Sequence, residues 1–184
     1  MPLALDSDLI ERARDGGDAL DALVAAVWPE AYRIAVGILR DPDLAEDVAQ
    51  DACAAIVRSL PSLKNSGSFA SWSYRTIVNA AITAARRHPR VQGLDAVADA
   101  VTTFDSSDAI DVRNALAGLS AVQRAVAILH YYIGFDSREI AIATSLPSST
   151  VRFHLMLARR ALRRALSPDE PATLSPDEVL PHVR

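Results

Sequence analysis

With 184 residues, half of them apolar and only 5% aromatic, the chain is long enough for one or two small domains, and its composition favours helices. A net charge of −4 argues against a nonspecific coat for nucleic acid, and the single cysteine, Cys53, excludes an intrachain disulfide framework or a cysteine zinc site. No apolar run approaches the ~18 uninterrupted residues of a membrane span, and the start MPLALDSDLIERARDGG lacks the basic and long apolar regions of a signal peptide. A cytoplasmic location without membrane insertion is therefore expected.

Residues 1–18 hold one short helical pattern, Leu5 to Arg14, closed by Gly16-Gly17. A helix is predicted from about Asp18 to Leu39, with Ala19, Leu20, Leu23, Val27, Tyr32, Ala35 and Leu39 inward and Pro29 kinking or splitting it. Arg40 to Asp43 reads as a turn, with Asp43 as N-cap of the next helix. In that helix, Leu44 to Leu60, the residues Leu44, Val48, Ala52, Ile56 and Leu60 recur every fourth position and face a core. Cys53 lies in its Ala-rich middle and suits a small core or interface position. Asp43, Glu46, Asp47, Gln50 and Asp51 fall on the outer side. Acids in the first turns complement the helix dipole, but Asp51 is two turns in. A solvated face and a docking surface for a basic partner fit this pattern equally.

Pro61 ends the helix, and SLKNSGS (Ser62 to Ser68) is a polar loop. Phe69 then opens a helix to about Arg87, with Ile77, Val78, Ala81 and Ala85 packing inward. Phe69 reads as core and Trp72 as either core or surface. Trp72, Tyr74, Arg75 and Asn79 on an outer face, after a polar loop, would form a platform for unstacked bases. Arg86, Arg87 and Arg90 make a basic knot. Residues 91–110 are acidic, rich in Ser and Thr, and read as a flexible linker.

A second helical unit is predicted over 111–166. Ser120 can cap a helix from Ala121 to Ile133, with Val122, Ala125, Val126, Leu129 and Ile133 inward and Gly134 as C-cap. A short helix, Ser137 to Thr144, capped by Ser137, is followed by the turn Ser145-Leu146-Pro147 and a long helix from Ser148 to about Leu166, with Ser148 or Ser149 as cap. Ile140 and Ala141 face inward in the short helix. Val151, Leu155, Ala158, Leu162 and Leu166 form one apolar stripe in the long one, with Arg152, Arg159, Arg160, Arg163 and Arg164 off it. This layout suits a helix-turn-helix that reads a DNA major groove, although a solvated basic helix carries the same charges. Residues 167–184, with four prolines and four acids, read as a disordered tail or a short interaction segment. His88, His130, His154 and His182 are scattered, and neither a Gly-rich phosphate loop nor a metal-spaced cluster is present in the sequence. Catalysis, a cofactor, a metal or a small-molecule substrate is therefore not expected.

Three blocks carry a family resemblance: DPDLAEDVAQDACAAIVRSL (Asp41 to Leu60), SFASWSYRTIVNAAITAARR (Ser68 to Arg87), and LSAVQRAVAILHYYIGFDSREIAIATSLPSSTVRFHLMLARRALRR, with its Q-R pair, helix-turn-helix and A-R-x-x-L ending. In this order and spacing the chain resembles the small two-domain extracytoplasmic-function (ECF, group 4) sigma factors of the sigma-70 family, the promoter-specificity subunits of bacterial RNA polymerase. The resemblance implies an all-α fold of two small helical domains, sigma domain 2 over 19–90 and sigma domain 4 over 111–166. It implies core RNA polymerase and promoter DNA as partners and an anti-sigma factor as regulator.

Carried onto this chain, the resemblance places Asp43, Glu46, Asp47, Gln50 and Asp51 on the helix that docks the polymerase clamp. Lys64, Asn65, Ser66 and Ser68 would belong to the loop that captures a flipped base of the minus-ten element. Trp72, Arg75, Asn79, Arg86 and Arg87 would line the melted strand. Ser148, Ser149, Thr150, Arg152, Phe153 and His154 would enter the major groove at the minus-thirty-five element, with Arg152 as the base reader and Arg159 nearer the backbone. The chain departs from the family at Ser145, where Gly is usual, and at His154, Met156 and Leu157, where polar residues are usual. The last two hint at a protein contact. The alternative reading is a polymerase-independent helix-turn-helix regulator, which leaves the whole first unit unexplained.

Overall fold

A computed structural model of the chain describes residues 3, 5–88, 116 and 118–166, and all its regular elements are helical. The predicted linker, the start of the second unit and the tail lie outside the described residues.

Helix α1 (Ser7–Ala13) starts later than Leu5, because the Asp6 carboxylate accepts the Asp8 N–H and so sets the boundary. Helix α2 (Gly17–Leu39) runs unbroken through Pro29, so the proline does not split it in two. It is long and apolar enough to cross a bilayer, with a mean hydropathy of 1.4 in its most apolar window. Its apolar surface is spent inside the protein instead: Leu23, Val27, Ala31, Ile34, Ala35, Val36, Ile38 and Leu39 are all buried. Burial on this many sides explains a composition richer than one amphipathic stripe. The expected inward Ala19, Leu20 and Tyr32 are only half-buried.

Arg40 closes α2 in the left-handed region at φ 61°, with its N–H on the Val36 carbonyl. The cap of α3 (Pro42–Ser59) is Asp41, whose Oδ1 accepts the Leu44 N–H at 3.1 Å, and Asp43 is an exposed first-turn acid. The expectation of an Asp43 cap overlooked Pro42, which is best placed at the first helical position and so moves the cap back two residues, to Asp41. The four-residue stripe faces inward as expected: Val48, Ala52, Ile56 and Leu60 are buried and Leu44 is half-buried. Cys53 is buried beside it, which pushes its thiol pKa up.

Two 3-10 turns, Leu60–Ser62 and Ser66–Ser68, lead to α4 (Phe69–Arg87). Phe69, Ile77, Val78 and Ala81 are buried. Tyr74 is fully buried too, which corrects its expected place on the outer face.

The second unit opens with α5 (Ala121–Ala127), whose capping box pairs Ser120 with Gln123. The predicted single helix to Ile133 changes form midway, because Ile128–Ile133 is a π-helical segment. Gly134 then closes it at φ 91°, a conformation glycine adopts without strain. In α6 (Ser137–Thr144) the cap is Asp136 in place of Ser137, in a box with Glu139. Asp136 accepts two N–H groups, from Arg138 and Glu139, while the Glu139 carboxylate accepts the Asp136 N–H, and this box sets the cap one residue before Ser137. Ser145 holds the turn in the left-handed region at φ 57°. Helix α7 (Ser148–Leu166) has its first backbone bond from Val151 N–H to the Pro147 carbonyl. Pro147 is thus the boundary residue, and Ser148 and Ser149 fall inside the first turn, not at the cap.

The two units pack against each other. One apolar cluster contains Ile34, Ile38, Ile77 and Val78 together with Val126, Leu129, Ile133, Ile140, Val151 and Leu155. Helix α6 lies against α4, and α5 lies against α2. Sequence patterning foresaw two separate cores and gave no sign of this junction. Ile34 is fully buried in α2. Its replacement in Ile34→Ala is expected to destabilise the protein by about 2–5 kcal/mol, read as a lowered midpoint in urea unfolding.

Candidate core-polymerase and promoter interface

Three surfaces carry the residues singled out from sequence. On α3, Asp43, Glu46, Asp47, Gln50 and Asp51 are all exposed, on the side opposite the buried Val48, Ala52 and Ile56. Gln50 donates weakly to Glu46 at 3.4 Å. The sole base on this helix is Arg58 in its last turn. The result is an acidic face held on a rigid, well-packed helix.

The second surface is the loop before α4. Arg14 reaches from α1 to donate to the Leu63 carbonyl at 2.6 Å, tying the loop down. The Asn65 side-chain oxygen accepts the Gly67 N–H at 2.9 Å, and the Asn65 carbonyl accepts the Ser68 N–H at 3.0 Å. One face of Asn65 is therefore spent on shaping the loop, leaving its amide N–H groups to meet a ligand. Lys64, Asn65 and Ser68 are exposed and Ser66 is half-buried. Behind the loop, Trp72 is half-buried with its ring tilted against buried Phe69 at 6.0 Å. Trp72 thus has one side in the core and another open. Arg75, Arg86 and Arg87 are exposed and Asn79 is half-buried.

The third surface is α7. Val151, Leu155 and Ala158 are buried and Leu162 is half-buried, so the predicted stripe faces the core. Ser148, Ser149, Arg152, Phe153 and Arg159 are exposed, while Thr150 and His154 are half-buried. Arg159 donates through Nε to the Tyr131 hydroxyl at 3.0 Å, which orients its guanidinium. Phe153 and Met156 are 54% and 53% exposed, and Leu157 is half-buried. The apolar surface expected at Met156 is there, while Leu157 is partly withdrawn.

Sequence reasoning missed the residues at the junction between units. Arg124 is 2% exposed and donates through Nε to the Ile38 carbonyl at 2.7 Å, and also to the Leu119 carbonyl. It thereby serves a carbonyl in the last turn of α2, where intrahelical partners run out and a cation is favoured. Burial, together with nearby Arg40, pushes its pKa down to about 10, so the guanidinium stays charged at neutrality. Glu30, 5% exposed, sits among Arg33, Tyr74 and Tyr132. Its carboxylate meets Arg33 at 2.5 Å and accepts the Tyr132 hydroxyl at 3.1 Å. Arg33 also donates to Tyr132 at 2.8 Å. Burial and Glu30 both push the Tyr132 pKa up, which keeps that hydroxyl a donor. A charged residue just after a proline in an otherwise apolar helix was the available signal for Glu30.

The chain's two halves match two family models, Sigma-70 region 2 over residues 23–91 and Sigma-70 region 4 over residues 109–162. It is 30% identical to the ECF RNA polymerase sigma factor SigM of Mycobacterium tuberculosis, over 88% of this chain and 84% of that one. It is 26% identical to the RNA polymerase sigma-H factor of Pseudomonas aeruginosa, over 89% of this chain and 94% of that one. Among solved structures, its fold is similar to the sigma factor RpoE of Bartonella quintana, crystallised with the anti-sigma factor NepR. The TM-score is 0.68 at 23% identity, covering 84% of this chain and all of that one. It is also similar to CnrH in complex with the cytosolic domain of CnrY, with a TM-score of 0.60 at 22% identity, covering 90% and 99%. None of these matches supports a polymerase-independent regulator.

The Asn65 contact bears on loop shape alone. Replacing it in Asn65→Ala is expected to speed hydrogen exchange at the Gly67 amide several-fold, with little change in global stability, as measured by exchange-resolved NMR. The acidic helix, the polar loop before the tryptophan helix and the helix-turn-helix come in the family's order, both family models match, and the chain belongs to the sigma-70 family as an ECF-type sigma factor of RNA polymerase.

Proposed function

We propose that promoter-specific initiation is divided among the three surfaces. Asp43, Glu46, Asp47, Gln50 and Asp51 on α3 dock core RNA polymerase. A row of exposed acids that runs on to Asp51, more than two turns into the helix and past the dipole's reach, is the single observation that carries this assignment. A basic partner explains Asp51 where the dipole does not.

The loop from Lys64 to Ser68 receives an unstacked base of the minus-ten element. Extraction of a base costs a few kcal/mol of stacking, and the bonds within the loop, with the free Asn65 amide, mean that little ordering cost is added on binding. Trp72 offers its open face for stacking, Arg75, Arg86 and Arg87 hold phosphates, and Asn79 meets a base edge. On α7, Ser148, Ser149 and Thr150 in the first turn hold phosphate at the helix N-terminus. Arg152 reads a base edge at the minus-thirty-five element, with Phe153 and His154 beside it, and Arg159 meets the backbone.

The boundaries that follow are a region-2 unit over 19–90 and a region-4 unit over 111–166, flanked by the segment 1–18, the linker 91–110 and the tail 167–184. Sigma factors are non-enzymatic regulatory subunits. This chain acts likewise, in the cytoplasm beside the polymerase, and leaves all chemistry to it. By likeness to the anti-sigma complexes of RpoE and CnrH, an anti-sigma factor regulates it.

The test is reconstitution with core polymerase and run-off transcription on a library of genomic fragments. Asp47→Arg is expected to lower core affinity at least tenfold, measured by competition against a reference sigma factor. Unchanged affinity would rule out the α3 assignment. Arg152→Ala is expected to weaken promoters that carry a minus-thirty-five element several-fold while core binding stays intact. Equal use by the wild type of promoters with and without that element would rule out the α7 assignment.

A further inference from the structure

Helix α7 carries five arginines and no acid between Ser148 and Leu166. At about 3.6 residues per turn, Arg152, Phe153, Met156, Arg159, Arg160 and Arg163 fall on one face, opposite the buried Val151, Leu155 and Ala158, and each of them is exposed. Among the described residues no carboxylate pairs with any of these arginines, and Arg159 meets the Tyr131 hydroxyl instead. Phe153 and Met156 lie open among the cations. A phosphate backbone complements the arginines and leaves Met156 without a partner. An acidic segment with apolar residues of its own complements both.

The chain holds such a segment. Residues 167–184 repeat Ser-Pro-Asp-Glu, at Ser167 to Glu170 and again at Ser175 to Glu178, and Leu174 and Val179-Leu180 flank the second copy. The segment has four acids and one arginine, Arg184, and it follows α7 directly in the chain. From Phe153 to Leu166 the helix is about 20 Å long. The chain from Leu166 to Val179 reaches at most on the order of 40 Å. The segment is therefore long enough to run back along α7, with Asp169 and Glu170 near Arg163 and the second copy near Arg152, Phe153 and Met156. Other surfaces fit it less well. The exposed face of α3 is acidic and repels it. Arg86 and Arg87 have no large open apolar side chain beside them on α4, because the exposed ones among the described residues, Tyr131, Ile142, Phe153 and Met156, all lie in the region-4 unit. Exposed ion pairs are individually weak, but a short tether holds the segment at a local concentration on the order of millimolar, so a few weak contacts suffice.

We propose that the Arg152–Arg163 face of α7 is a docking surface for the chain's own acidic segment, residues 167–184, with acids on the arginines and Leu174, Val179 and Leu180 on Phe153 and Met156. The docked segment takes the cations that phosphate would take, and so competes with DNA for the helix. That consequence rests on the α7 assignment made under Proposed function. The docking itself does not.

Amide NMR of the full chain, and fluorescence anisotropy with a short duplex of random sequence, test the two parts at low salt, where charge contacts are least screened. One variant combines Leu174→Ser, Val179→Ser and Leu180→Ser, which leaves the net charge unchanged. Its Arg152, Phe153 and Met156 amide resonances are expected to shift from their wild-type positions, although the substitutions lie far along the chain. Its affinity for the duplex is expected to rise about threefold or more, the gain when a surface covered about two thirds of the time is freed. A second variant combines Asp169→Asn, Glu170→Gln, Asp177→Asn and Glu178→Gln and is expected to shift the same amides. Its duplex affinity rises from charge alone, so only the amides are read. Amides that keep their wild-type positions in both variants overturn the proposal. Wild-type amides that move to the variant positions on dilution assign the segment to a second copy of the chain, and overturn it as well. Shifted amides with unchanged duplex affinity in the first variant would strike the α7 assignment alone and leave the docking standing.

Discussion

Helix α2 is packed from more sides than a surface helix of a small domain has to be, and much of the structure depends on that constraint. It must supply apolar surface to α1, α3 and α4 and then again to α5 and the π segment. This demand explains its high hydropathy and the absence of a single polar face. The polar groups it does place inward are each matched. Glu30 meets Arg33, Tyr74 and Tyr132, and the carbonyl of Ile38 meets Arg124. Buried charge is costly unless it is paired and hydrogen-bonded, so these contacts define one relative placement of the units where apolar packing alone would tolerate several.

Arg124 is the sharpest case. A guanidinium withdrawn from water and set near Arg40 is depressed in pKa and unfavourable as a charge. Its position opposite the C-terminal turn of α2 offsets part of that cost through the helix dipole and through two carbonyls. Such a group contributes less to stability than to specificity, because a shifted arrangement would bury the same charge without acceptors. The Glu30 cluster acts similarly. It also draws in the N-terminal segment, since the Leu3 N–H donates to Tyr74 at 2.6 Å while Tyr74 turns its hydroxyl to Glu30.

The functional surfaces follow a different logic. The acidic residues of α3 and the arginines of α7 are exposed and owe their placement to the buried stripes behind them. Their geometry is as rigid as those stripes, which suits residues that must meet a partner of defined shape. The loop before α4 is shaped by its own short bonds and by Arg14, so its open groups come with little entropy left to lose. Exposed Phe153 and Met156 sit on the same helix as Arg152, and that helix has room for a protein contact beside the DNA contact proposed for it.

Local pattern determined a good deal. The period of four in Leu44 to Leu60, the stripe from Val151 to Leu162 and the punctuation by Pro61, Gly134 and Pro147 specified the helices and their buried faces, because each signal acts within a few residues. The Ser137–Thr144 and Ser148–Leu166 helices were legible to the residue. So were the acidic face, the loop and the basic helix, since exposed polar groups on a known period need no tertiary information to be placed. The caps were less legible, because Asp41 and Asp136 compete with acceptable neighbours, and the placement of Pro42 in one case and the box with Glu139 in the other decide between them. The tertiary structure decided what no periodicity encodes. Tyr74 turned inward because Glu30 and Phe135 offer it partners from two other segments. Ile128–Ile133 widened into a π segment that carries Tyr132 against α2, and Arg124 went to a carbonyl 86 positions away in the chain. Two units with self-sufficient patterns pack together because Ile128 lies where Gly37 has no side chain and the Ile38 carbonyl takes Arg124, and such complementarity exists only between surfaces that have already formed.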